Sequence, residues 1–110
     1  MSPVVDLPTF TELQGNTGTD FVVELVDTFA AEAPAMQTEL RAAWAAGAAD
    51  RFRRAAHSLK TNAQTFGALR LAEAARQLEL HGVPPDAAPL DELEASCHEA
   101  LAALQALAHG

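Results

Sequence analysis

The chain has 110 residues, enough for one domain and too few for two. Apolar residues make up 49%, which excludes a disordered chain, and 25 alanines and 14 leucines with no tyrosine favour helices over a β-sandwich or barrel. The net charge of −8 argues against nucleic-acid binding, a lone Cys97 against an internal disulfide, and the short apolar runs against a membrane span.

Asp6 and Pro8 start a short helix over Leu7–Leu13. Gln14 to Gly18 reads as a loop, and Thr19 or Asp20 as the cap of a second helix carrying Val22, Leu25, Val26 and Phe29. Pro34 suits the first turn of a third helix, with Met36, Leu40, Ala43 and Trp44 as its stripe. Gly47 ends it, and Asp50 caps a fourth helix with Phe52, Ala55, Ala56, Leu59, Ala63 and Phe66. After Gly67 a fifth helix begins at Ala68 and shows Leu71, Ala75 and Leu78. Gly82-Val83-Pro84-Pro85 stops it. The last helix repeats Leu90, Leu93, Cys97, Leu101, Leu104 and Leu107. The expected organisation is therefore one domain over 1–110: a cap and loop over 1–18, helices over 19–82, a Pro-rich loop over 83–88 and a closing helix over 89–108. Four stripes with short connections are best buried in an antiparallel up-and-down four-helix bundle, with one or two additional N-terminal helices on its flank.

Charge is unevenly spread. Between Arg51 and Arg76 six of the seven basic residues face one acid, Glu73, for a local net of +5; the remainder, Arg41 against fourteen acids, is −13. Such an island is either a surface for an anion or a set of ion pairs with neighbouring helices.

His57 lies inside the island. With Phe52 at zero on the helical wheel, His57 falls about 140° away, off the apolar face. Arg53 and Arg54 stand one turn before it, Lys60 and Thr61 one turn after, and Gln64 two turns after. Lys60 is the only lysine of the chain. A histidine that attacks phosphorus must present a neutral ring nitrogen, and nearby cations disfavour the imidazolium. The same cations then serve as charge-assisted donors to the phosphoryl oxygens, Lys60 as a point charge and Arg53 or Arg54 as a fork. Thr61 and Gln64 can donate or orient. His81 suits a helix C-terminus, His98 is adjacent to Cys97 and not one turn from it, and His109 ends the chain; no metal site is expected. No Gly-rich phosphate loop, HExxH or Gly-x-Ser-x-Gly motif is present.

The run Ala56-His57-Ser58-Leu59-Lys60-Thr61-Asn62-Ala63-Gln64-Thr65-Phe66-Gly67-Ala68 resembles the signature of histidine-containing phosphotransfer (HPt) domains, His-x-Leu-Lys-Gly followed by small or polar residues and Gly-Ala. Phe29-x-x-Glu32-x-Pro34, Leu40 to Asp50, Leu71-Ala72-Glu73 and Leu78-Glu79 extend the likeness over about residues 7 to 82. The resemblance implies a four-helix bundle whose exposed histidine relays phosphate between aspartates of receiver domains. It implies a carrier without an ATP site or cofactor of its own, since the receiver contributes the aspartate and Mg²⁺. His57 is then the phospho-acceptor, Lys60 the phosphate-stabilising cation, Gln64 an orienting side chain and Gly67 the turn after the helix. Arg53, Arg54, Thr61 and Gly67 complete the expected phosphate and partner surface. Thr61 departs from the pattern, which often has glycine there to leave room for the receiver. The expected partners are a response-regulator receiver domain or a hybrid histidine kinase, with no nucleic acid and no membrane. A monomeric cytoplasmic carrier is the expected setting, either free-standing or an excised domain of a larger hybrid kinase. The competing reading is a non-phosphorylated adaptor that binds and inhibits a receiver or kinase.

Overall fold

The computed structural model describes residues 4–110, which form five helices joined by short turns. They are α1 (Leu7–Thr17), α2 (Thr19–Ala46), α3 (Ala49–Phe66), α4 (Leu69–His81) and α5 (Ala88–His109). No strand occurs among the described residues.

Helix α1 begins as expected. The Asp6 carboxylate accepts from the Thr9 backbone N–H at 3.2 Å and from its hydroxyl at 2.5 Å, and Pro8 sits in the first turn, where a missing N–H costs nothing. The helix does not stop at Leu13. It runs through the expected loop to Thr17, whose hydroxyl donates to the Leu13 carbonyl at 2.7 Å. Only Gly18, at φ 91°, breaks the chain, and it occupies the cap position expected of Thr19 or Asp20.

The largest difference from the sequence reading is α2. The expected second and third helices are one helix of 28 residues with Pro34 inside it. A proline cannot donate to the carbonyl four residues back and normally costs a helix interior about 3 kcal/mol. Here the apolar row holds its phase across the proline. Val22, Val26, Phe29, Ala33, Leu40 and Ala43 are all buried on one face, while Pro34 itself is exposed. Continuous burial therefore outweighs the local break. Among the described residues only α1 is additional to the four longer helices, the lower of the one or two that the sequence reading allows.

Two further starts shift. Ala48 precedes α3 where Asp50 was expected to cap, and Ala68 precedes α4. Asp50 instead lies in the first turn of α3, where a carboxylate favours the helix dipole.

Helix α2 packs against α3 and α5, α4 packs against the same two, and α1 lies across α2 and α3. Glu39 meets Arg51 of α3, and Arg41 meets Asp91 and Glu94 of α5. Asp27 meets His109, and Trp44 Nε1 donates to the Pro84 carbonyl at 3.0 Å. The α5 partners thus fall in number as those on α2 rise, so α2 and α5 run antiparallel. Phe29 and Phe66 stack at the core with centroids 5.4 Å apart. The closing stripe is narrower than expected. Leu90, Leu93, Cys97, Ala100 and Leu104 are buried, but Leu101 is only half-buried and Leu107 is 37% exposed. Cys97 is a core residue as expected; burial pushes its thiol pKa up, and Gln37 Nε2 donates to its sulfur at 3.3 Å.

Candidate functional site

The α3 sequence alternates a buried row with an exposed crest. Phe52, Ala56, Leu59, Ala63 and Phe66 are buried, and this row fixes the rotation of the helix. His57 is consequently on the crest, with 58% of its side chain exposed. Rotation about the helix axis also places Lys60 toward α4 and Arg51, Arg54 and Ser58 toward α2.

His57 is not solitary. Its Nδ1 lies 2.6 Å from Oε2 of Glu79 on α4, and Lys60 Nζ donates to Oε1 of the same carboxylate at 2.5 Å. Glu79 thus bridges the two residues singled out from the sequence. Its carboxyl pKa is held below the usual range, chiefly by the hydrogen bond from Lys60, against burial, with a further contribution from His57. An ionised carboxylate can only accept, so the proton between Glu79 and His57 resides on Nδ1. In the neutral ring this tautomer leaves the lone pair on Nε2, the nitrogen that faces away from Glu79.

Lys60 differs from the sequence expectation. Its side chain is 20% exposed and engaged, not an open cation awaiting phosphate. Arg53 Nη2 donates to Asp50 at 3.0 Å, so its charge is matched within the first turn of α3. Arg54 Nε donates to the Asp50 carbonyl at 3.3 Å. The Thr61 hydroxyl donates to the His57 carbonyl at 3.0 Å, which turns its bulk back along the helix. Gln64 is exposed, about 10 Å along the axis from His57.

Gly67 is about 15 Å from His57 along the axis and acts on the fold. It is buried at φ 77°, its N–H donates to the Gln64 carbonyl, and its own carbonyl accepts from the Asp6 N–H at 2.7 Å. Its place in the structure is the joint between α1, α3 and α4, away from the phosphate surface to which the sequence assigned it.

The basic island resolves mostly into ion pairs. Arg51 pairs with Glu39, Arg70 with Glu99 and Arg76 with Glu73. On the α2 side of His57 lies an apolar groove of about 280 Å³ lined by Ala35, Met36, Glu39, Ala55 and Ser58. No helix among the described residues is long and apolar enough to cross a membrane.

Glu79 was the residue the sequence reading left without a role. Its signal was present. It continues the Ala72–Ala75 row at helical spacing, so it is a carboxylate on the edge of a buried face. Such an edge position faces the neighbouring helix.

Comparison with known families decides the identity. The Hpt domain model matches residues 24–109, from Glu24 within α2 to the end of α5. The chain belongs to the Hpt domain family. No curated protein and no solved structure matches it significantly. Hpt domains are phosphocarrier modules of two-component signalling that interact with receiver domains and kinases. The HPt signature around His57 lies inside the matched segment, and α1 lies outside it.

Proposed function

We propose that this Hpt domain relays a phosphoryl group between receiver aspartates through Nε2 of His57. The observation that carries the reading is the exposed imidazole with its Nδ1 on Glu79 and its Nε2 open. In the inward step the Nε2 lone pair forms a bond to the phosphorus of an aspartyl phosphate. The P–O bond breaks, and its electron pair leaves with the receiver's carboxylate. The ring keeps its Nδ1 proton, and Glu79 balances the positive charge of the phosphorylated imidazole. In the outward step a carboxylate oxygen of the accepting receiver's aspartate forms a bond to phosphorus, the N–P bond breaks, and its electrons return to Nε2, leaving a neutral imidazole. The aspartate and Mg²⁺ belong to the receiver, so this chain carries the group and needs no cofactor of its own.

The four long helices form an up-and-down antiparallel bundle in this reading, with His57 near the middle of one outer face. The α4 side of that face is filled by the Lys60–Glu79 pair. A receiver therefore straddles α3 and α2, with the groove at Met36 and Ala55 as its apolar contact. The encounter is weak and transient, as a relay requires.

The test is transfer from a phosphorylated receiver or hybrid kinase, with His57→Gln alongside. The expected product is acid-labile, alkali-stable label on the parent chain and none on the variant. No transfer from any donor, with fold and binding intact, would favour the inhibitory adaptor.

A further inference from the structure

The family pattern assigns the cation beside the phosphoryl group to the lysine three residues after the histidine. The geometry points to a different residue here: we infer that Arg54 is the side chain that grips the phosphoryl group on His57, while Lys60 serves the carboxylate behind the ring. This deepens, and rests on, the reading of His57 as carrier.

Three observations converge. The first is where Lys60 is. Its ammonium is bound to Glu79 Oε1, on the Nδ1 side of the imidazole. The ring nitrogens point away from each other, so a group on Nε2 faces away from that pair. The second is direction. Lys60 lies about 60° to one side of His57 around α3, and Arg54 about 60° to the other. The Arg51–Glu39 pair identifies the latter as the α2 side. Side chains on a helix lean toward its N-terminus, so the His57 ring lies over the turn that carries Arg53 and Arg54.

The third is charge. Arg51, Arg53, Arg70, Arg76 and Lys60 of the island each hold a carboxylate. Arg54 makes no direct ion pair with an acid among the described residues; its Nε donates to the Asp50 carbonyl one turn back, and its charge reaches Glu39 only through space. Its terminal nitrogens are therefore the cationic donors that a phosphoryl dianion can engage without displacing an existing pair. A guanidinium fork suits two phosphoryl oxygens at once. Ser58, next to His57 and on the same side, lines the groove between α3 and α2. Arg54 thus stands on the side of His57 from which a receiver seated on the groove delivers its phosphate, and its head group exchanges the Asp50 carbonyl for the phosphoryl oxygens.

The experiment separates this assignment from the relay itself. The chain, with His81, His98 and His109 replaced by glutamine, is phosphorylated on His57 with the small donor phosphoramidate, which needs no partner. Arginine and lysine side-chain resonances are then compared before and after. The expected result is a shift of the Arg54 guanidinium signal, with the Lys60 ammonium signal unmoved. A shift of Lys60 with Arg54 unmoved overturns the assignment. In transfer from a phosphorylated receiver, Arg54→Gln slows the reaction about fivefold, the upper range for an exposed charge contact, and Arg54→Lys recovers part of the loss. The charge-matched control Arg76→Gln stays at the parent rate. Equal rates for Arg54→Gln and Arg76→Gln would also overturn it. Should the parent chain accept no phosphate from any receiver, the relay reading fails, while the phosphoramidate spectra still decide for or against Arg54.

Discussion

Gly47 and Gly67 end their helices in the same left-handed conformation, at φ 64° and 77°, but in different surroundings. A Cβ at Gly47 meets nothing within 4 Å, whereas one at Gly67 lies 2.9 Å from the Asp6 carbonyl oxygen and 3.0 Å from Thr9 Cβ. Gly47→Ala should cost only the left-handed backbone, about 1–2 kcal/mol. Gly67→Ala should cost more and should loosen α1, because the atoms it meets belong to the cap of that helix. Urea unfolding of the two variants gives the order, and equal losses would show that α1 yields freely. Glu79 supports a second prediction at this scale. Its carboxyl pKa is lowered in the fold, so its contribution is present above its ordinary value of 4.5 and is lost as pH falls through the lower, folded value. Glu79→Gln should melt below the parent at pH 7, and the gap should close on acidification. A gap independent of pH would mean that the bridge to Lys60 and His57 contributes nothing. The difference in legibility has a physical basis. His57 shows in the sequence because exposure follows from the phase of its own helix. The Glu79 contact does not, because it depends on how α4 rotates against α3.

Pro34 shows how an element can be misread one residue at a time. Taken alone it opens a helix; taken with the row from Val22 to Ala43 it lies on the exposed side of one continuous helix. The four- and three-residue spacing across it was readable, and it carries more free energy than one lost hydrogen bond. Pro34→Ala should restore a donor to the Ala30 carbonyl and stabilise α2 by about 1–2 kcal/mol, after the greater freedom of the unfolded chain is deducted. Thermal melts of parent and variant measure it, and a lower melting temperature would show that the proline shapes α2 for its neighbours. The closing helix shows the same limit in reverse. Its leucine repeat located α5 within a residue at each end, yet overstated the buried width at the C-terminal turn. Leu104, fully buried, should lose about 2–5 kcal/mol on truncation to alanine, while Leu107→Ala should change stability by no more than about 0.5 kcal/mol.

At the scale of the molecule, the sequence shows a basic island in an acidic chain, and the structure pairs most of the island with acids, three of its six cations with acids of a neighbouring helix. Glu39, Glu79 and Glu99 come from other helices to meet Arg51, Lys60 and Arg70, while Arg53 and Arg76 pair within their own helices with Asp50 and Glu73. Composition alone could not say which acids fold back, since that requires the register of each helix pair. The consequence for docking is an asymmetric surface around His57. Toward α4 it is charged and occupied; toward α2 it is the apolar groove with Ala35 on its outer wall. Ala35 is exposed, so Ala35→Asp should leave the fold intact. It would nevertheless place an unpaired carboxylate under any partner that covers the groove. The expected effect is a KM for the phosphorylated receiver raised about tenfold, with the rate at saturation little changed, because desolvating that charge opposes association and not the chemistry. Ala95→Asp, equally exposed but on α5, should behave as the parent. If both variants weaken transfer alike, net charge governs the encounter; if neither does, the receiver approaches His57 over α4, and the Lys60–Glu79 pair must open to admit it.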